Sequence, residues 1–291
     1  MKAQNLTTSA FHTDNLQSNV REIGHIKLLP DFDVARWKVD RNSVIYQKAD
    51  SHTLSFYLSG GETTYRADKQ SLKGAPGKFC LMPQGHESRW HINGEIEFVH
   101  LYFTDRMLKQ YAASNLAVDV RFIELRDLIY QDDVQLLNLC KRHFLIAHES
   151  LMNSPLLAEE TLHEVMHHLL HHYNGAHIKQ QNVKGGLSSR HFQMVKTRIH
   201  DQPGDKHTIE QLAQEVNLSP FHFARMFKES FGEAPSTYIT RQRINAVKKQ
   251  LGTQLSLAEI SLLTGFSHQS HMTKNFRALT GMTPANYRQL L

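Results

Sequence analysis

The sequence predicts an α+β chain of two domains, an antiparallel β domain with a helical segment followed by an all-α domain. Three observations carry this. From Glu22 to about Phe103 the texture is short β-prone runs broken by turn residues, HTLSFYLSGG, TTYRAD, GKFCLMPQG, SRWHINGE and IEFVHLYF, as in a small sandwich or barrel. Over the last hundred residues the apolar positions instead recur at helical spacing. The charge divides the same way: residues 187–291 hold 13 Lys and Arg against 7 Asp and Glu, a net of +6, and the rest hold 20 against 21, a net of −1. A basic domain beside a near-neutral one suits a phosphate-binding module joined to a sensing or assembly module. With 291 residues, each domain can bury its own core without a disulfide or metal staple.

Taken in order, residues 1–21 are polar and aperiodic and read as a flexible arm. Residues 22–174 form the first domain. Its strands give way to helix after Tyr130, where Val134, Leu136, Leu137, Leu139, Cys140 and Phe144 cluster at helical spacing. A second helix opens at Ser154-Pro155, an N-cap residue followed by Pro, and runs to about Tyr173 before Asn174-Gly175. Residues 175–187, with Gln180-Gln181-Asn182 and Gly185-Gly186, have the composition of a linker to the domain at 188–291. Cys80 and Cys140 lie in apolar runs far apart and read as buried free thiols in a reducing compartment. No run approaches eighteen apolar residues, and MKAQNLTTSAFHTDNLQ lacks an apolar leader, so a cytoplasmic location without membrane attachment is expected.

Within residues 188–291 one pattern occurs twice: a short capped helix, a tight turn, and a second helix opened by Ser. In the first copy, about 208–229, Thr208 and Gln211 form a capping box ahead of IEQLAQEV, Asn217-Leu218 is the turn, and Ser219-Pro220 opens FHFARMFKESFG. In the second, about 256–279, Ser256 and Glu259 form the box ahead of LAEISLLT, Gly265 permits the turn, and Ser267 opens HQSHMTKNFRALTG. Paired helices of this kind present the N-terminal turns of the second helix to base edges in a major groove. Between the copies, Pro235 to Leu251 reads as one helix with Tyr238, Ile239, Ile244, Val247 and Leu251 inward. It would be about 25 Å long, a spacer for sites one DNA turn of roughly 34 Å apart. Leu212, Ala213, Phe223, Phe227, Ile260, Phe266 and Phe276 are assigned to the core.

The strings SPFHFARMFKESFGEAPSTYITRQRINAVKKQL and AEISLLTGFSHQSHMTKNFRALTGMTPANYR resemble the two recognition units and terminal signature of the AraC/XylS family of transcription regulators. The resemblance covers about Ser188 to Leu291. Three positions depart from the family's usual pattern: Ser261, Met272 and Lys274, the last keeping a charge but losing an arginine fork. The resemblance implies a DNA-binding regulator of transcription, usually an activator, working as a homodimer with RNA polymerase at the promoter. It places Phe221, Ala224, Arg225, Gln269, Ser270, His271, Thr273 and Lys274 against bases, and Lys228 on phosphate or in solvent. Arg225 would donate two hydrogen bonds to a guanine, or else touch phosphate alone, and Phe221 would meet a thymine methyl or pack in the core.

In the first domain GKFCLMPQGH, from Gly77 to His86, resembles the second conserved stretch of cupin barrels, G-x5-P-x-G. A cupin-like effector-binding barrel with a helical dimerisation segment is therefore expected ahead of the double helix-turn-helix domain. Metal-dependent cupins carry a paired H-x-H with a Glu in the preceding stretch, which SFYLSGGETTYRADKQ does not offer, so neither a cofactor nor catalysis is expected. Tyr57, Tyr65, His86, Arg89, Trp90, His100 and Tyr102 are candidates to line an effector cavity, each with the alternative of an outward or core-filling role, and an inward Arg89 would favour an anion. In LHEVMHHLLHHYNGAH the residues Leu162, Val165, Met166, Leu169, Leu170 and Tyr173 form an apolar stripe, read as the dimerisation face. Five histidines occupy the remaining face, with His163, His167 and His171 at i, i+4 and i+8, which leaves a metal-responsive regulator as an alternative. A further alternative is a constitutive regulator whose barrel only dimerises.

Overall fold

Alternating apolar positions build the first unit around one antiparallel sheet of eight strands: β1 (Phe11–Thr13), β2 (Val20–Leu29), β3 (Phe32–Gln47), β4 (His52–Ser59), β5 (Tyr65–Arg66), β6 (Phe79–Met82), β7 (Glu87–Phe103) and β8 (Leu128–Gln131). The computed structural model describes residues 11–13, 19–116, 118–141, 155–175 and 185–291. The strand path is β1-β3-β7-β4-β6-β8, with β2 also on β3 and β5 on β7, and among the described residues it runs open, with no pairing that closes a ring. Its spine is the long β3–β7 ladder from Phe32↔Phe103 to Gln47↔Glu87. The register slips once, between Asp40 and Asn42, beside the positive φ of Arg41. Inward positions on β3 accordingly change parity, from Ala35, Trp37 and Val39 to Val44 and Tyr46.

Two features of this unit depart from expectation. SRWHINGE and IEFVHLYF are one strand, because Asn93-Gly94, a turn signal on its own, is carried through by pairing along β3. Part of the expected arm is in the sheet, since the backbone of Phe11–Thr13 pairs with Val44–Tyr46. The rest of residues 1–18 lies outside the described residues, as do Phe144 and Ser154.

Helices α1 (Asp105–Asn115), α2 (Val134–Cys140) and α3 (Pro155–His172) complete the N-terminal half of the sequence. Asp133 caps α2 by accepting from the Leu136 amide at 2.9 Å, and its other carboxylate oxygen accepts from Tyr173 Oη at 2.5 Å and lies 2.7 Å from His168 Nε2. The apolar stripe of α3, Leu162, Val165, Met166, Leu169 and Leu170, is buried within this chain, where α3 packs on α2. It is covered without a second copy, so these residues, with Tyr173, do not present an open dimerisation face. Cys80 and Cys140 are buried free thiols.

The second unit is helical: α4 (Ser189–Asp201), α5 (Ile209–Glu215), α6 (Pro220–Phe231), α7 (Pro235–Leu251), α8 (Leu257–Leu263), α9 (Gln269–Thr280) and α10 (Pro284–Arg288). Contacts cluster Leu108–Glu124 with Gly175–Leu291, whereas Met1–Met107 and Leu125–Asn174 form the sheet unit. Thus most of α1 and the 3-10 turn Val120–Phe122 belong with the helices. Most of the expected linker, residues 176–184, lies outside the described residues. No helix among those described is long and apolar enough to cross a membrane.

Candidate nucleic-acid interface and sheet interior

Each helix-turn-helix is set up by local chemistry. Thr208 accepts from the Gln211 amide at 3.1 Å while Gln211 Oε1 accepts from the Thr208 amide at 3.2 Å, which starts α5. Asn217 takes φ +55°, a left-handed conformation that Asn tolerates better than branched residues, and turns the chain. Ser219 then caps α6, with Pro220 in the first turn. In the second unit Ser256 and Glu259 form the same box, and hydrogen bonding to Ser256 holds the Glu259 carboxyl below its ordinary pKa. Gly265, at φ +80°, makes the turn. An added Cβ there would run into the Gly204 backbone and the Arg243 side chain. Helix α9 starts one residue later than expected: His268, not Ser267, is its N-cap, and it makes no side-chain capping bond.

Burial then decides which way the recognition helices face. Phe223, Met226, Phe227, Ser230 and Phe231 of α6 are buried, so at 100° per residue the opposite side carries Phe221, Ala224, Arg225 and Lys228. Phe221 is 82% exposed, which removes the core alternative for it. Met272 and Phe276 anchor α9, and its opposite side lines an open concavity with Gln269, Ser270, Thr273, Lys274, Arg277, Ala278 and Thr283. His271 is exposed but leans edge-on to Phe266, 5.6 Å between ring centres, away from that lining. Among the described residues Arg225, Lys228, Lys274 and Arg277 make no ion pair, so their charge is available to phosphate. Arg277 joins this face although the family motif does not mark it. One turn beyond Thr273 on the same face, it was identifiable from helical periodicity. The core assignments Leu212, Ala213, Phe223, Phe227, Ile260, Phe266 and Phe276 are all buried.

The interior of the sheet unit holds a small cavity of about 30 Å³ lined by Tyr57, Trp90 and His100 from the expected set. Tyr46, Ser55, Cys80, Met82 and Phe98 also line it. Tyr102 is buried beside the cavity, its hydroxyl 2.8 Å from His100 Nδ1. Tyr65 is instead half-buried against His91, with the Lys73 ammonium 3.8 Å from its ring centre, and Arg89 is exposed, so the condition for an anionic ligand is not met. His86 lies 3.4 Å from Arg66 Nη1, whose guanidinium is held by Asp127 and Asp68. Burial lowers the His100 pKa to about 3, raises the Cys80 thiol to about 12 and pushes the Tyr57 hydroxyl well up. The lining is uncharged at neutral pH, which suits a neutral, largely apolar occupant. On α3, His163, His167 and His171 are exposed, and the rings of the last two are 4.9 Å apart. Among the described residues no three His, Cys, Asp or Glu side chains converge as a metal site.

Residues 212–290 match a family model described as a helix-turn-helix domain. The chain is 37% identical over 87 residues to an HTH-type transcriptional regulator of Mycobacterium tuberculosis, covering 30% of this chain and 34% of that protein. It is 29% identical over 140 residues to an AraC-like transcription regulator of Streptomyces antibioticus, covering 47% of this chain and 46% of that protein. Among solved structures it is similar to the DNA-binding domain of AdpA, a global transcriptional factor, in complex with a target DNA. The identity there is 26% and the TM-score 0.33, over 33% of this chain and 88% of that one. The matched stretch spans between about a third and a half of the length of the curated relatives.

Proposed function

We propose that the whole chain is a sequence-specific transcription regulator of the AraC type that binds double-stranded DNA through both units and answers to a small molecule held in the sheet domain, a reading supported by the match of residues 212–290 to a helix-turn-helix family model and by the similarity to AraC-like regulators. The reading is supported above all by two capped helix pairs whose exposed faces carry cations with no ion-pair partner among the described residues, with Phe221 held out into solvent at the start of the first. Phe221, Ala224 and Arg225 read one half-site. Gln269, Ser270 and Thr273 touch bases in the other, and Lys228, Lys274 and Arg277 bind phosphate. No catalytic step is assigned. Activation through RNA polymerase, a cytoplasmic location, a cupin-like barrel and a homodimer belong to the same reading, with the dimer contact on a surface other than the buried stripe of α3.

Selection of binding sites from random duplex DNA by the full-length protein tests this. The expected result is two half-sites about one helical turn apart, bound with strong salt dependence. Equal affinity for selected and random DNA at every salt concentration would sink it. A constitutive regulator is the second reading, favoured by the near-filled cavity, since ligand pockets usually measure hundreds of cubic ångströms. Thermal shift with neutral apolar compounds separates the two, because a ligand of the folded state must raise its stability.

A further inference from the structure

We infer that Leu108–Glu124, a segment lying far from the helix-turn-helix motifs in sequence, is a positioning element of the DNA-reading unit that fixes the angle of the first recognition helix. The inference rests on the DNA-binding reading above and concerns how that reading is achieved.

It starts from a buried ion pair. Glu233 stands in the corner between α6 and α7, and Arg241, two turns into α7, donates to it through Nε at 3.0 Å and through Nη2. Both side chains are largely buried, and such a pair is costly unless its remaining donors and acceptors are filled. The segment fills them. Gln110 Nε2 donates to Glu233 Oε2 at 3.1 Å, and Arg241 Nη1 donates to Ser114 Oγ and to the Gln110 carbonyl at 3.3 Å. Ser114 Oγ also accepts from Gln242 Nε2 at 3.0 Å, and Tyr238 Oη donates to the Ala113 carbonyl at 3.2 Å.

A second grip lies at the other end of the segment. Asp119 aligns the Arg121 guanidinium, at 2.9 Å from Nε and 2.6 Å from Nη2, so that Arg121 donates to the carbonyls of Gly185 and Leu187. The Leu187 amide in turn donates at 2.8 Å to Ser230 Oγ, in the last turn of α6. Gly186 takes φ +70°, and an added Cβ would run into Arg121 and Ser230, so this glycine serves close packing and not only chain flexibility.

The second grip holds the last turn of α6 and the first holds the corner after it together with α7, whereas the base-facing residues of α6 lie at its other end. A helix of 12 residues is about 18 Å long, so a tilt of about 10° moves its first turn by about 3 Å, enough to break a hydrogen bond to a base. Both corners are closed by a left-handed glycine, Gly232 after α6 and Gly281 after α9, but the bonds described from Leu108–Glu124 reach the first corner. The splint is therefore specific to the first half-site.

The test uses the full-length chain and the operator it selects, with single base changes placed in each half-site. The double variant Gln110→Ala/Ser114→Ala should bind about tenfold more weakly and lose base discrimination in the half-site read by α6. Discrimination in the half-site read by α9 should persist. Asn115→Ala, exposed on the same helix, should behave as wild type. Unchanged binding, or a loss spread equally over both half-sites alongside a lowered melting temperature, overturns the proposal. Should the double variant melt below the assay temperature, Gln110→Ala alone carries the same half-site readout with a smaller loss. If the wild-type chain selects no DNA, the functional reading fails first, which keeps the two failures distinct.

Discussion

Phe221 and Arg225 are one turn apart on α6, and in the proposed complex their environments would divide the work of recognition. Phe221, 82% exposed, takes no part in the core, and in the proposed complex its ring would meet a thymine methyl. Arg225→Ala should relax base preference at one position by roughly 1–3 kcal/mol in competition with mutated sites. Lys274→Ala and Arg277→Ala should weaken binding uniformly across sequences and each lower the salt slope by about 1. The reverse pattern would exchange these roles. His100 makes a prediction of a different kind. Its folded pKa of about 3 lies below the ordinary 6.5, so above pH 6.5 neither folded nor unfolded chain is protonated there and stability is unaffected. Between pH 6.5 and 3 only the unfolded chain takes up the proton, so acidification destabilises the fold. From pH 7 to 5 this amounts to about 2 kcal/mol. Urea melts of His100→Gln should lose correspondingly less stability over that interval, and parallel losses in variant and wild type would show the imidazole is not held neutral.

At the level of elements, the most local signals proved the most legible. The boxes Thr208/Gln211 and Ser256/Glu259 span only four residues each, and both form as the sequence implies. Thr208→Ala and Ser256→Ala should each cost about 1 kcal/mol in chemical denaturation. Asn217→Gly should be tolerated where Asn217→Val is not, because only the latter meets the left-handed penalty of about 1–2 kcal/mol. The sheet was harder to read because its rules are set at a distance. Asn93-Gly94 signals a turn locally, yet fifteen pairings to β3 keep it within β7. The slip beside Arg41 changes which residues of β3 point inward, so Tyr46 joins the cavity although alternation counted from Trp37 would turn it outward. The burial of Leu162, Val165, Met166 and Leu169 reflects the packing of α3 on α2, which an amphipathic pattern cannot distinguish from association with a second copy. Helix α1 has no capping box and a dilute apolar face, Leu108, Ala112 and Ala113, so its local signal is only Thr104, whose hydroxyl accepts from the Met107 amide, with Asp105 in the first turn.

At the scale of the whole molecule, the chain crosses between its two units three times, near residues 107, 124 and 174, where the linker composition at 175–187 implied a single crossing. A DNA-binding domain defined by its motifs, starting at Ser188, therefore leaves out part of the unit that folds with it. Such a fragment keeps Arg225, Lys228, Lys274 and Arg277, so its salt slope should match that of the full chain. It lacks Gln110, Ser114 and Arg121, which takes hydrogen-bonding partners from the Glu233–Arg241 pair and uncovers Tyr238, an otherwise fully buried aromatic. Losing this cover exposes Tyr238 and opens the ion pair to water, which weakens it and forfeits apolar burial, so the fragment should melt at lower temperature than the helical unit does within the full chain. Salt titration and calorimetry on the two proteins separate the contributions, since phosphate binding should survive the truncation while stability and first-half-site discrimination fall. A fragment that melts as high as the full chain and discriminates equally in both half-sites would show that residues 108–124 rest on the unit without holding it.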